Sequence, residues 1–213
     1  MPLLTLSKHP CTAPGRVLPP EILLSVDQHQ VLRTYALAGT QAHRYDSISD
    51  AVWRQKEIEE QSYVSRYIIN CFKHIRLREF KEIGPKTVQA GNLLHLRTEY
   101  IVKLDDVQYD NLPDQLLSLL HPTSAVCGMP KEEAMAFIMA HEQHDRMLYA
   151  GFTGPVNIAN ATHYYVNLRC ARLFDNGLLS YAGAGITSES VPEQEWEETE
   201  MKCGIITTIY KNL

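Results

Sequence analysis

Short apolar runs at residues 21–26 (EILLSV) and 31–37 (VLRTYAL), separated by VDQHQ, predict two strands joined as a hairpin, the second ending in ALAGT (36–40). The pattern then changes period. From Ser47 to about Phe80 the apolar positions Ile48, Val52, Ile58, Val64, Tyr67, Ile68 and Cys71 recur at helical spacing with charges between them, which predicts a long amphipathic helix with room for one break. A strand follows at 92–104 (NLLHLRTEYIVKL), then a short helix at 114–120 (DQLLSLL), the turn HPTSAVCGMP, and a helix at 130–142 that opens on proline. Strands are predicted at 147–154, 163–174 and 177–185. A glycine-rich turn and a closing helix end the stretch YAGAGITSESVPEQEWEETEMK (181–202), where Ser190 and Glu193 form an S-x-x-E capping box around Pro192. Antiparallel strands with a few long helices give an α+β domain, helices to one side of the sheets, in one domain over 1–213. The N-terminal SKHPCTAPGRVLPPE has four prolines and no periodicity, so it reads as irregular chain.

Composition narrows the functional classes. The chain has 213 residues, 45% hydrophobic and 21% charged, enough for a sizeable core. Its net charge is −5, and no run is rich in Lys or Arg, which argues against nucleic acid or an anionic membrane as partner. No apolar stretch reaches membrane-spanning length and the first residues lack a secretory pattern, so the expectation is a cytoplasmic protein with a small-molecule ligand. Five cysteines without a C-x-x-C pair suggest neither a disulfide framework nor a zinc knuckle.

The chemistry concentrates on two helices. Glu195, Glu198 and Lys202 fall at i, i+3 and i+7, on one face of the closing helix, and Glu57 and Glu60 repeat the i, i+3 pair on the long helix. Two such pairs can supply the hard, oxygen-only site that Mg²⁺ takes, one carboxylate of each pair bound directly and the other through water. Gly183 and Gly185 bracket Ala184, where backbone N–H groups can approach an anion closely. Arg169 offers a planar fork suited to a carboxylate, with Tyr149 on a neighbouring predicted strand, and His121 could donate to a substrate oxygen. His141 and His144 lack the H-E-x-x-H spacing of zinc proteases.

ALAGT (36–40), KEIEEQ (56–61), LHPTSAVCGMPKEEA (120–134), DRMLYAG (145–151), NLRCA (167–171) and YAGAGITSES with EWEETEMK (181–202) occur in the order found in chorismate-utilising enzymes, and the chain resembles that family. The HPTxAVxGxP form is most similar to isochorismate synthases; anthranilate, salicylate and aminodeoxychorismate synthases share the other motifs. The resemblance implies the chorismate-binding, anthranilate synthase component I-like fold of antiparallel sheets with flanking helices, present as a C-terminal portion, with chorismate as substrate and Mg²⁺ as cofactor. It implies Glu60 and Glu198 as direct Mg²⁺ ligands and Glu57 and Glu195 as carboxylates acting through bound water. Arg169 and Tyr149 would hold the enolpyruvyl carboxylate, Gly39, Thr40, His121, Gly185 and Lys202 would line the pocket, and Glu21 would be the general acid.

Chorismate is a dianion that four glutamates would repel, so the divalent cation, Arg169 and Lys202 are needed to make binding favourable. Glu21 would have to stay protonated, which calls for a dry pocket. The resemblance also implies a base lysine on an upstream strand that this sequence does not contain, and prolines before Glu21 where relatives carry a strand. Two further expectations follow: negligible turnover by this chain alone, whose alternative role is chorismate or Mg²⁺ binding without catalysis, and self-association through uncovered sheet edges.

Overall fold

The computed structural model describes residues 7–9, 12–17, 21–43, 47–90, 93–168 and 170–211. In chain order these form β1 (Ser7–His9), β2 (Thr12–Val17), β3 (Glu21–Val26), β4 (Val31–Ala42), α1 (Gln55–His74), β5 (Lys81–Ala90), β6 (Leu93–Lys103), α2 (Leu112–Leu120), α3 (Lys131–His141), β7 (Phe152–Thr153), β8 (Thr162–Val166), β9 (Cys170–Phe174), β10 (Gly177–Tyr181) and α4 (Pro192–Lys211). Contacts divide the chain into two compact units, one of residues 22–141 and 154–164, the other of 1–21, 142–153 and 165–213. The α+β class with antiparallel sheets is as expected. No helix among the described residues is long and apolar enough to cross a membrane.

In the first unit the strands run in the order β5-β6-β4-β3-β8. The β3–β4 hairpin closes because Asp27 Oδ1 accepts from the N–H groups of His29 (2.8 Å) and Val31 (3.1 Å), the short-range trick by which aspartate builds a turn. Arg33 Nη1, 2.6 Å from Asp27 Oδ2, holds that carboxyl below its ordinary range. The second strand does not stop at ALAGT. It continues to Ala42 through a bulge between Ala38, opposite Leu96, and Thr40, opposite His95.

The long predicted helix divides as its pattern allowed. A short 3-10 turn (Ile48–Asp50) precedes α1, which presents Glu57, Gln61, Val64, Tyr67, Ile68, Cys71 and Phe72 as its buried stripe. That stripe lies on β4 and β6. Gln61 Nε2 donates to Thr98 Oγ1 at 2.7 Å, and Phe72 stands edge-on to Tyr100 (5.7 Å between centroids) and Phe80 (4.9 Å). The helix ends six residues before the predicted Phe80 because Arg76 adopts a left-handed φ of 60°. Leu77 N–H then reaches back to Phe72 O (2.9 Å) and Arg76 N–H to Lys73 O (3.0 Å), which closes the last turn. The released residues 75–80 form a turn and an irregular connection, and β5, an edge strand that the sequence reading had not predicted, starts immediately after them at Lys81.

The second unit corrects the sequence reading more often. SKHPCTAPGRVLPPE is not wholly irregular: β1 pairs with β2, and β2 with β9 through Gly15, Arg16 and Val17, in a sheet of order β1-β2-β9-β10. Pro14 is accommodated in β2 just before the residues that pair with β9. The predicted strand 147–154 is mostly turn, with Met147 and Ala150 at positive φ, and only Phe152 and Thr153 are extended, opposite Val166 and Tyr165. The predicted strand 163–174 is two strands, and 177–185 ends at Tyr181. At α4 the predicted capping box does not form. The helix opens one residue later, and Ser190 Oγ instead accepts from Thr187 N–H (3.0 Å).

Phe72 is fully buried between two other rings, so Phe72→Ala should lower unfolding free energy by about 3–5 kcal/mol. Urea titration followed by circular dichroism measures this; a loss under about 1 kcal/mol would mean that α1 does not pack on β6 as described.

Candidate active site

In the first unit the site residues gather where β4 meets the start of α1. Gly39 sits in the bulge at a φ of +71°, and a Cβ there would stand 3.0 Å from Glu57 Cβ and 3.1 Å from Glu57 O. Only glycine permits so close an approach in that conformation. Glu57 occupies the first turn of α1 and is buried. Its Oε2 accepts from the Arg54 N–H at 3.0 Å, and its Oε1 from Arg54 Nε at 3.1 Å. One turn on, Glu60 lies 3.6 Å from Lys56 Nζ and is only partly covered.

Thr40, next to the bulge, shares a hydrogen bond of 3.2 Å with Nδ1 of the buried His95. The sequence reading missed His95, although a histidine interrupting the apolar run LLHL was a visible signal. His121 caps the end of α2, its N–H donating to Leu117 O at 3.0 Å. Glu21, half-buried, is the first residue of β3.

In the second unit Glu195, Glu198 and Lys202 share one face of α4. Lys202 Nζ is 2.6 Å from Glu198 Oε1 and donates to Gly183 O at 2.7 Å, so one ammonium joins the helix to the glycine-rich segment. Glu195 is buried at 5% exposure while its neighbour Trp196 is 67% exposed. Ala184, Ser190, Pro192, Glu195 and Trp196 line an open cavity of about 330 Å³.

Tyr149 is on a turn and not on the predicted strand. Its ring stacks on Tyr181 (5.7 Å), beneath the Arg146 guanidinium. Burial pushes its phenol pKa up, with Arg146 opposing, so it stays protonated as a hydrogen-bond donor. A Cβ on Gly183 would fall 2.7 Å from the Tyr149 hydroxyl. Gly185 lies in the same irregular segment, exposed, and Arg169 lies outside the described residues.

Within either unit, no three Asp, Glu, His or Cys side chains among the described residues form a metal-holding group. Each unit supplies one carboxylate pair. Their donors are oxygen only, so each pair suits a hard divalent cation and would suit a soft one poorly.

Residues 18–210 match the family model described as chorismate binding enzyme. The chain belongs to the chorismate-binding enzyme family. It is 31% identical over 201 residues to isochorismate synthase DhbC of Bacillus subtilis, covering 90% of this chain and 50% of that protein. Over 189 residues it is 29% identical to the vibriobactin-specific isochorismate synthase of Vibrio cholerae, covering 86% and 47%. It is also similar to the structure of MenF, the menaquinone-specific isochorismate synthase from Escherichia coli, with a TM-score of 0.76, 29% identity and coverage of 93% and 46%. The chain spans about half the length of these relatives.

The closeness of Gly39 to Glu57 generates a test. Gly39→Ala should destabilise the chain by about 1–3 kcal/mol, from left-handed strain plus displacement of the first turn of α1. Chemical denaturation reads this, and an unchanged midpoint would rule out the close approach.

Proposed function

We propose that this chain supplies the chorismate- and Mg²⁺-holding groups of an isochorismate synthase. The reaction adds water at C2 of chorismate as the C4 hydroxyl departs, and the proton lost by one water equals that gained by the other, so it is an isomerisation. The observation that carries the proposal is similarity to isochorismate synthases over 86–90% of the chain, together with the carboxylate pairs on α1 and α4.

In this reading Glu60 and Glu198 would bind Mg²⁺ directly, and Glu57 and Glu195 would act through bound water. The cation, when bound, neutralises a ring carboxylate of the substrate and makes a dianion acceptable beside acidic side chains. Binding, orientation and protonation of the leaving hydroxyl belong to the chain's own residues, and a general base accepts the proton of the attacking water. Arg169 and the protonated Tyr149 receive the enolpyruvyl carboxylate, Tyr149 already oriented by its stack on Tyr181. Lys202, anchored on Gly183 O, keeps a positive charge beside the glycine-rich segment. Gly39, Thr40, His121 and Gly185 line the pocket, and Glu21 protonates the departing C4 hydroxyl.

Glu198→Gln should abolish Mg²⁺-dependent chorismate binding in calorimetry while shifting stability by no more than about 1 kcal/mol, since its ion pair with Lys202 is partly exposed. Undiminished Mg²⁺-dependent binding in that variant would remove the metal assignment. Chromatography of products from chorismate and Mg²⁺, with water or ammonia as nucleophile, separates an isochorismate-forming chain from an anthranilate-type one. Binding without any product would leave a binding role only.

A further inference from the structure

Lys131 is the first residue of α3, a poor place for a cation, because the positive end of its own helix dipole lies there. Its ammonium turns instead to the far end of another helix. Nζ donates to Leu119 O (3.2 Å) and His121 O (3.0 Å), carbonyls at the C-terminus of α2 where partial negative charge collects, and to Tyr67 Oη (3.1 Å). Three donors meet three acceptors, which saturates a lysine.

Tyr67, buried in α1, passes its own hydrogen to Leu119 O at 2.5 Å, with Leu120 O and Pro122 O within 3.3 Å of the same hydroxyl. The chain that follows closes on itself: Val126 and Cys127 N–H groups donate to Thr123 O, and Cys127 Sγ donates to Lys131 O at 3.5 Å. The backbone from Leu119 to Pro122 therefore has few ways to move while Lys131 and Tyr67 are in place.

We propose that Lys131 is a positioning residue: with Tyr67 it clamps the backbone around His121 to α1 and so fixes where the His121 imidazole stands. This rests on the reading of His121 as a pocket residue of a chorismate enzyme. Since α1 also carries Glu57 and Glu60, the clamp sets the His121 segment in register with that carboxylate pair inside one unit. A structural lysine would add stability alone. A positioning lysine also changes what happens at His121 when it is removed.

The test compares Lys131→Met, Lys131→Arg and, as a control for lost stability, Leu94→Ala, a fully buried site on β6. Imidazole resonances of His121, assigned with His121→Gln, should move or split in Lys131→Met, recover partly in Lys131→Arg and stay put in Leu94→Ala. The dissociation constant for chorismate with Mg²⁺ should rise about tenfold in Lys131→Met, the cost of one lost charged hydrogen bond. His121 resonances unmoved in Lys131→Met overturn the clamp, whatever chorismate does. Absence of chorismate binding by the unaltered chain overturns the functional reading instead, and the resonances then judge the clamp by themselves.

Discussion

The backbone of β4 touches the first turn of α1 at Gly39, and the geometry of the first unit depends on that contact. A bulge admits one extra residue, glycine alone tolerates its left-handed φ, and the missing side chain leaves room for Glu57. With the helix start fixed there, the 3.6-residue period fixes the rest: Glu60 one turn on, Gln61 on Thr98, Phe72 against Tyr100. A site built in this way inherits its precision from the packed sheet below it. Gly39 and Thr40 are part of the same irregularity, so the bulge that places the helix also turns Thr40 toward His95.

Charge is handled by local pairing. The chain is acidic overall, and its candidate carboxylates would repel one another and any anionic ligand if left bare. The structure puts Arg54 on Glu57, Lys56 beside Glu60 and Lys202 on Glu198. Partly exposed pairs of this kind are each worth under about 1 kcal/mol, which makes Glu60 and Glu198 cheap to reassign to a cation. Lys202 has a second acceptor in Gly183 O, so it has an anchor beside the glycine-rich segment besides Glu198.

How much of this was legible in the sequence follows from where periodicity is strong. The hairpin, β6, α2, α3 and α4 were readable because apolar spacing and turn residues agreed. The end of α1 was not, since arginine at a left-handed position carries no signal and the apolar pattern runs on past Arg76. The turn around Tyr149 was mistaken for a strand because MLYAG is apolar enough to pass for one, while hydrogen bonds from Asn167 to Leu148 O and from Ala150 N–H to Asn167 O hold it as a turn. The strands at the N-terminus were hidden by prolines that β2 accommodates in one of its six residues. Among site residues, spacing placed the carboxylates and Lys202 on shared helix faces. Pairings such as Lys131 with Tyr67, which join positions 64 apart, have no periodicity to betray them.

The two carboxylate pairs follow one plan, and the plan separates their roles. In each, the first glutamate stands in the opening turn of its helix and is buried at 4–5% exposure, Glu57 on α1 and Glu195 on α4, where the positive end of the dipole offsets the cost of covering a charge. The second, one turn on, is more exposed and has a lysine four residues away, Lys56 for Glu60 and Lys202 for Glu198. A carboxylate held as Glu57 is by Arg54 cannot swing to meet a ligand, but it can order water in front of it. A carboxylate held only by a flexible lysine can exchange that partner for a cation at little cost. The proposal that Glu60 and Glu198 would bind the cation directly, with Glu57 and Glu195 acting through water, accords with this difference in burial and pairing.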